Sequence, residues 1–276
     1  MGSIVGGIAV SHAPSLARAY DEKLGDHPDW ADVFAMFPPA AAWLAQLAPD
    51  ALVVVYNDHM NQFFFDAYPT FALGVADDYP QADEGWGLRP LPDLVGDSEL
   101  GWHIARSLVA DEFDPTVCQE MVVDHGLYSV LPFLAEPPWP TPIVPLAVNV
   151  IRHPLPTPGR CFRIGQAIGR AVESFPDDRR VVVIATGGMS HQLHGPDFGM
   201  VAPEWDNRFL DLLETDPGEL CELDHLTYME RGGAESVEII MWLAMRGAVG
   251  DQVQRVHRAY DAPMLTGYGL LCLEPV

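Results

Sequence analysis

Four apolar, β-rich runs of this chain each lead into a histidine, and no other feature of the sequence restricts the fold as much. Residues 4–10 lead to Ser11-His12-Ala13-Pro14, and residues 51–56 to Asn57-Asp58-His59. Residues 116–123, a less regular run, lead to Asp124-His125-Gly126. Residues 180–185 lead through Thr186-Gly187-Gly188-Met189-Ser190 to His191. Short apolar runs rich in β-branched residues read as strands buried on both faces. Two more, 141–150 and 270–273, extend the sheet, the second as its closing strand. Helical patterns lie between them: 29–48 with a break near Pro38, 98–110 capped by Ser98, 160–175, 204–213, and 234–246 stopped by Gly247. Strands alternating with helices predict an α/β layered fold, with a central mainly parallel or mixed sheet flanked by helices. No proline- or glycine-rich stretch has the composition of a flexible linker, so 1–276 is expected to form a single catalytic domain.

Composition excludes several classes of function. The formal charge is −24, with 39 acidic against 15 basic residues, and Lys23 is the sole lysine. Such a field repels nucleic acid and anionic membrane surfaces, so neither is an expected partner. No apolar run reaches the roughly 18 residues of a membrane span. The residues before Val10 include no basic region ahead of the apolar stretch, so no signal peptide is expected. Cys118, Cys161, Cys221 and Cys272 are widely spaced, which predicts reduced, mostly buried thiols and a cytoplasmic location. A small anionic substrate would need local cationic or hydrogen-bonding groups to overcome the overall field.

In open α/β sheets, ligands bind beyond the carboxyl ends of the strands. Histidines following four strands can converge there, and neutral imidazole is the commonest biological metal ligand. A carboxylate would complete such a site, and the segment 232–243 offers Glu235 and Glu238. Glu235 falls in a first helical turn, where it can stay solvated. Glu238 is set among Val237, Ile239 and Ile240, where a carboxylate is costly unless paired or metal-bound. Glu238 is therefore the better ligand candidate, with a salt bridge to Arg231 or Arg246 as the competing explanation. Asp58 and Asp124 either orient the neighbouring imidazoles or cap turns. Two histidines and a carboxylate with open positions suit non-haem Fe(II), while His₂Glu also suits catalytic zinc. There is no His-Glu-x-x-His helix, Gly-x-Ser-x-Gly elbow or phosphate loop. Spacing alone leaves all four histidines open as ligands.

Ser-His-Ala-Pro around His12, Tyr-Asn-Asp-His around His59, Ala-Asp-Glu-Gly-Trp-Gly at 82–87, Asp-His-Gly at 124–126, Thr-Gly-Gly-Met-Ser-His-Gln at 186–192 and Val-Glu-x-x-Met-Trp-Leu at 237–243 resemble, in order, the class III (LigB-type) extradiol ring-cleavage dioxygenases. The resemblance implies Fe(II) on His12, His59 and Glu238, with His191 as the catalytic acid/base. It places His125 against the substrate diol, and Ala13 and Thr266 among the substrate contacts. It implies cleavage of a protocatechuate- or gallate-type catechol by O₂ beside the diol, at the 4,5 position. Protocatechuate 2,3-cleavage, 3-O-methylgallate, an aminophenol, or a non-catalytic metal-binding relative are the alternatives. The segment 262–269 departs from the family pattern: it is one residue shorter, and Met264 and Leu265 stand where polar residues are expected. A homodimer, or a complex with a small helical α subunit covering the site, is the expected assembly.

Overall fold

The computed structural model describes residues 1–276. In chain order its elements are β1 (Ser3–Val10), α1 (Pro14–Asp21), α2 (Ala31–Ala35), α3 (Phe37–Leu47), β2 (Ala51–Tyr56), β3 (Phe71–Gly74), β4 (Asp78–Tyr79), β5 (Leu94–Val95), α4 (Ser98–Ala110), β6 (Thr116–Cys118), α5 (His125–Tyr128), α6 (Leu131–Leu134), β7 (Ile143–Val148), α7 (Pro158–Glu173), β8 (Arg180–Thr186), α8 (Pro203–Thr215), α9 (Pro217–Glu222), α10 (His225–Gly232), a 3₁₀ stretch Ala234–Met241, α11 (Trp242–Val249), β9 (Val253–Asp261) and β10 (Tyr268–Pro275). Eight strands form one mixed sheet in the order β6-β3-β7-β2-β8-β1-β10-β9, as the α/β reading requires. Its centre is parallel, with β2 between β7 and β8, and β8 beside β1. Strands β10 and β9 add antiparallel on one side, and β3 runs antiparallel to β7 on the other.

The strand period of two divides the core between the faces of the sheet. Val53, Val55, Val183 and Ala185 point to one face, packing with α4, α7, α8 and α11. Leu52, Val54, Val182 and Ile184 point to the other, packing with α1, α2, α3, α5 and α6. Helices on both faces explain why β2 and β8 read as unbroken apolar runs.

Several sequence boundaries are corrected. The strand expected at 116–123 keeps its order only to Cys118, and residue 123 makes an isolated bridge with Gln81. The helix at 29–48 divides at Met36, and Pro38 and Pro39 fall in the first turn of α3, where a missing N–H costs nothing. Asp97, not Ser98, caps α4 by accepting from Leu100 N–H. The helix at 234–246 is a 3₁₀ stretch followed by α11, which runs past Gly247 and stops at Gly250 (φ +105°). Strand 270–273 is not the closing strand, because β9 lies outside β10.

Gly247 does not end a helix because its job is contact. A Cβ there would collide with the Phe162 carbonyl of α7, and one at Gly165 of α7 would collide with the Ala244 carbonyl of α11. Backbone meets backbone at this crossing. Gly165→Ala therefore tests it. Helix propensity alone would stabilise the variant by ~1 kcal/mol, whereas overpacking costs about 1–3 kcal/mol. A fall in thermal or urea midpoint is expected, and a rise would show that the crossing has room.

Candidate metal centre and catalytic pocket

Strands β1, β2 and β8 run parallel in the middle of the sheet, and His12, His59 and His191 follow their carboxyl ends. His125 arrives differently. It opens α5, just after the isolated bridge at Val123, and Asp124 caps that helix by accepting from Gly126 N–H at 2.9 Å. Glu238 comes from the 3₁₀ stretch against the other end of the pocket. A cavity of about 490 Å³ is lined by all five, together with Ala13, Glu235, Thr266 and Tyr268. A larger cavity of about 640 Å³ lies next to it, sharing Pro14, Ser15 and His125. The convergence of imidazoles, not size, identifies the chemical pocket.

The imidazoles are close-packed. The ring centroids of His59 and His125 are 3.9 Å apart, and those of His12 and His59 are 5.1 Å apart. Each ring is tied at Nδ1. His12 Nδ1 is 2.9 Å from Thr186 Oγ1, and His59 Nδ1 is 3.1 Å from Asp124 Oδ2. His125 Nδ1 is 2.6 Å from Glu84 Oε2, and His191 Nδ1 is 2.7 Å from the Met189 carbonyl oxygen. A carbonyl oxygen only accepts, so His191 carries its proton on Nδ1 and presents a lone pair on Nε2. This leaves Nε2 of His12, His125 and His191 for a ligand, while His59 Nε2 also lies 3.0 Å from Asn57 Nδ2.

Glu238 is buried, and no arginine pairs with it. Arg246 instead donates to backbone carbonyls, including Leu213 at 2.9 Å, and Arg231 lies over the Trp205 ring. The carboxylate accepts from Gly188 N–H at 2.8 Å. Its oxygens lie 3.3 Å from His12 Nε2 and 3.9 Å from His59 Nε2. Burial raises the Glu238 pKa, but His12, His191 and His59 outweigh it and hold the carboxyl well below its ordinary range. Burial pushes His12 the other way, below 6.5, favouring its neutral form. With Nδ1–H given to Thr186 Oγ1, the His12 Nε2 lone pair and a carboxylate at 3.3 Å repel unless a cation lies between them, and His12 Nε2 is buried with no hydrogen-bond partner. That orphaned nitrogen fits a divalent metal. His12, His59 and His125 also place their nitrogens within 4.8 Å of one another, so the donor set offers a third imidazole as well as a carboxylate.

Other expected residues fall as follows. Asp124 orients His59, accepting from its backbone N–H at 2.7 Å as well as from Nδ1. Burial opposes its ionisation, yet His59 and His125 keep its carboxyl well below the ordinary range. Asp58 only caps a turn, accepting from Asn61, Gln62 and Phe63 N–H. Glu235 pairs with His194 at 2.6 Å on the rim. Thr266 bridges to His191 and Ala13 precedes α1, both on the pocket wall. Met264 and Leu265 are exposed at the mouth. The four cysteines are free, three of them buried.

Sequence reading did not single out Glu84, Thr186 or Asp206. The fully buried Asp206 carboxylate joins the 190 and 260 segments, accepting from Ser190 N–H at 3.0 Å and Tyr260 O–H at 2.7 Å. Its raised pKa is due first to burial. No pattern along the chain marks Asp206 or Glu84, because their partners are 16 or more residues away. Thr186 is the last residue of β8, one position beyond the run read as a strand, and pairs in register with Val10 of β1.

The chain is similar to known proteins. Over 195 residues the chain is 46% identical to gallate dioxygenase of Pseudomonas putida, an alignment covering 70% of this chain and 57% of that protein, so the chain matches little more than half of that relative's length. It is 28% identical to 2,3-dihydroxyphenylpropionate/2,3-dihydroxicinnamic acid 1,2-dioxygenase of Rhodococcus jostii, covering 79% of this chain and 82% of the relative. The crystal structure of the uncharacterized protein JW3007 from Escherichia coli K12 shares the fold, with a TM-score of 0.56 at 17% identity over 99% of this chain and 100% of that one. No helix is long and apolar enough to cross a membrane. With residues 6–271 matching the catalytic LigB subunit of aromatic ring-opening dioxygenase, and with its histidines gathered at the strand ends, the chain belongs to the LigB family.

Proposed function

We propose that this chain is an Fe(II)-dependent extradiol dioxygenase that opens the ring of a protocatechuate- or gallate-type catechol beside its diol, at the 4,5 position. The observation that carries the reading is the unpaired His12 Nε2 facing the buried Glu238 carboxylate, beside His59. His12, His59 and Glu238 would hold the metal, because a carboxylate offsets charge that a third neutral imidazole cannot. Ferrous iron on such a face, with positions left open, supplies the redox chemistry that brings the diol and O₂ together.

The protein's own groups handle position and protons. His191, with Nδ1–H fixed on the Met189 carbonyl, offers Nε2 as base for a phenolic proton and returns that proton later as acid. His125 lies against His59 and holds the diol. Thr266 and Ala13 contact the ring from the wall. Ile151, Leu193, Met264 and Leu265 form an apolar mouth that sheds water when substrate enters. That exposed apolar rim supports a covering partner, either a second copy or a small helical subunit.

An oxygen-electrode screen of the Fe(II)-loaded chain tests the reading, with gallate, protocatechuate, 3-O-methylgallate and 2,3-dihydroxyphenylpropionate and with product spectra. Uptake with a gallate- or protocatechuate-type diol and a 4,5-cleavage spectrum are expected. No uptake with any diol at full iron occupancy would refute it. Glu238→Ala is expected to lose most bound iron, whereas His191→Ala should keep the iron and lose about 10²–10⁴-fold in kcat. Near-normal turnover in the second variant would remove His191 from the chemistry.

Metal loading should also depend on pH. Burial lowers the His59 pKa, but Asp124 and then Glu238 and Glu84 outweigh it, leaving His59 raised to about 9 in the metal-free protein. His59 therefore carries a proton at neutral pH that a metal must displace, while His12 does not. Affinity for Fe(II) or Zn(II) should rise about tenfold per pH unit up to about 9, with one proton released per metal. Calorimetry in buffers of different ionisation enthalpy measures that proton, and pH-independent binding would contradict the ligand role of His59.

A further inference from the structure

Glu84 has no part in the His12–His59–Glu238 centre, although it lies grouped with Asp124 and His125. Its side chain is 10% exposed, and it grips one residue at two points. Oε1 accepts from the His125 backbone N–H at 2.9 Å, and Oε2 accepts from the His125 ring at Nδ1, 2.6 Å away. A carboxylate that takes both donors of one histidine fixes where the ring stands and which nitrogen it shows to the pocket.

The loop that presents Glu84 is anchored on both sides. Before it, Ala82 N–H donates to Val123 O and Val123 N–H to Pro80 O, both at 2.9 Å, so this strip is tied to the residue just before Asp124-His125. Within it, Asp83 Oδ1 accepts from Gly85 and Gly87 N–H at 2.9 and 3.0 Å. Gly85 and Gly87 have φ of +94° and +85°, values that L side chains adopt only under strain. After it, the Arg89 guanidinium donates to Asp21, the Ala17 carbonyl and the Tyr128 carbonyl, joining the loop to α1 and α5. Trp86, by contrast, is largely exposed. So rigid a loop, with its tip carboxylate turned inward, has the form of a support and not of a flexible lid.

We propose that Glu84 is a positioning residue for catalysis: its two-point clamp holds His125 with Nδ1–H committed to the carboxylate and Nε2 directed at the substrate diol. The proposal rests on the dioxygenase reading for what His125 meets, but the clamp itself can be tested without turnover. His125 lines both the catalytic pocket and the neighbouring cavity of about 640 Å³, and Glu84 lines the latter, so the clamp holds a residue shared by the two.

The test uses the full chain labelled with ¹⁵N-histidine, with and without diamagnetic Zn(II). A strongly downfield Nδ1-bound proton assigned to His125 (by its absence in His125→Gln) is expected in the wild type and lost in Glu84→Gln. In the Fe(II) enzyme, Glu84→Gln should lose about 10–100-fold in kcat/KM with bound iron per chain and far-ultraviolet circular dichroism unchanged, and Glu84→Asp should fall between it and wild type. A merely structural loop anchor would not remove that proton while leaving fold and metal intact. If Glu84→Gln fails to fold, the wild-type spectrum decides alone: no such resonance overturns the proposal. An unchanged spectrum and a kcat/KM within twofold of wild type overturn it too. Wild-type chain that shows the clamp but takes up no oxygen with any diol leaves the two-point clamp on His125 standing and removes the dioxygenase reading instead.

Discussion

A carboxylate placed in the core with no arginine beside it organises this molecule. Moving an ion of that kind out of water costs several kcal/mol even after the protein relaxes. Glu238 recovers part of that through Gly188 N–H and through the histidines around it. Everything needed to bring those groups together is a long-range device. Strands β1, β2 and β8 deliver histidines from three separate parts of the sequence, and the 3₁₀ stretch delivers Glu238 against the turn after β8. At that turn Gly187 packs against the Glu238 carbonyl, where an added Cβ would come within 2.9 Å of the oxygen.

Around this charge the four imidazoles follow one rule with four different partners. Each is held at Nδ1, by a hydroxyl, two carboxylates and a carbonyl in turn. The partner sets the chemistry. Asp124 draws His59 towards its protonated form when no metal is present. The Met189 carbonyl can only accept, so His191 is left with a basic Nε2. Thr186 adds no charge, and buried His12 stays neutral beside Glu238. One residue type thereby fills several roles within one pocket, because a ring's behaviour depends on what its far nitrogen meets.

The net charge of −24 makes local pairing important elsewhere too. Most arginines are occupied: Arg89 by Asp21, Arg170 by Asp111, Arg179 by Asp97, and Arg258 by Asp211. Arg246 is spent on the carbonyls that follow α11. No arginine or lysine lines the pocket that holds the histidines. An anionic substrate entering it would meet hydroxyls and N–H groups, and not arginine.

What the sequence determined by itself was whatever repeats locally. Buried strands announce themselves by composition, so β1, β2, β7 and β8 were legible, and with them the positions of His12, His59 and His191. The apolar neighbours of Glu238 revealed that its charge had to be dealt with inside. Strand β9 was not legible: as an edge strand it carries Gln254, Arg255, His257 and Arg258, which solvent permits and no hydrophobic period marks. Only the tertiary structure decided that residues 119–124 are not a strand, that Gly247 serves a helix contact, and that Glu84, Thr186 and Asp124 tie the imidazoles. Those facts depend on backbone approach and on hydrogen bonds between residues 41 to 174 positions apart. Such bonds exist only after the sheet has set the register of its strands, so no window along the chain can contain them.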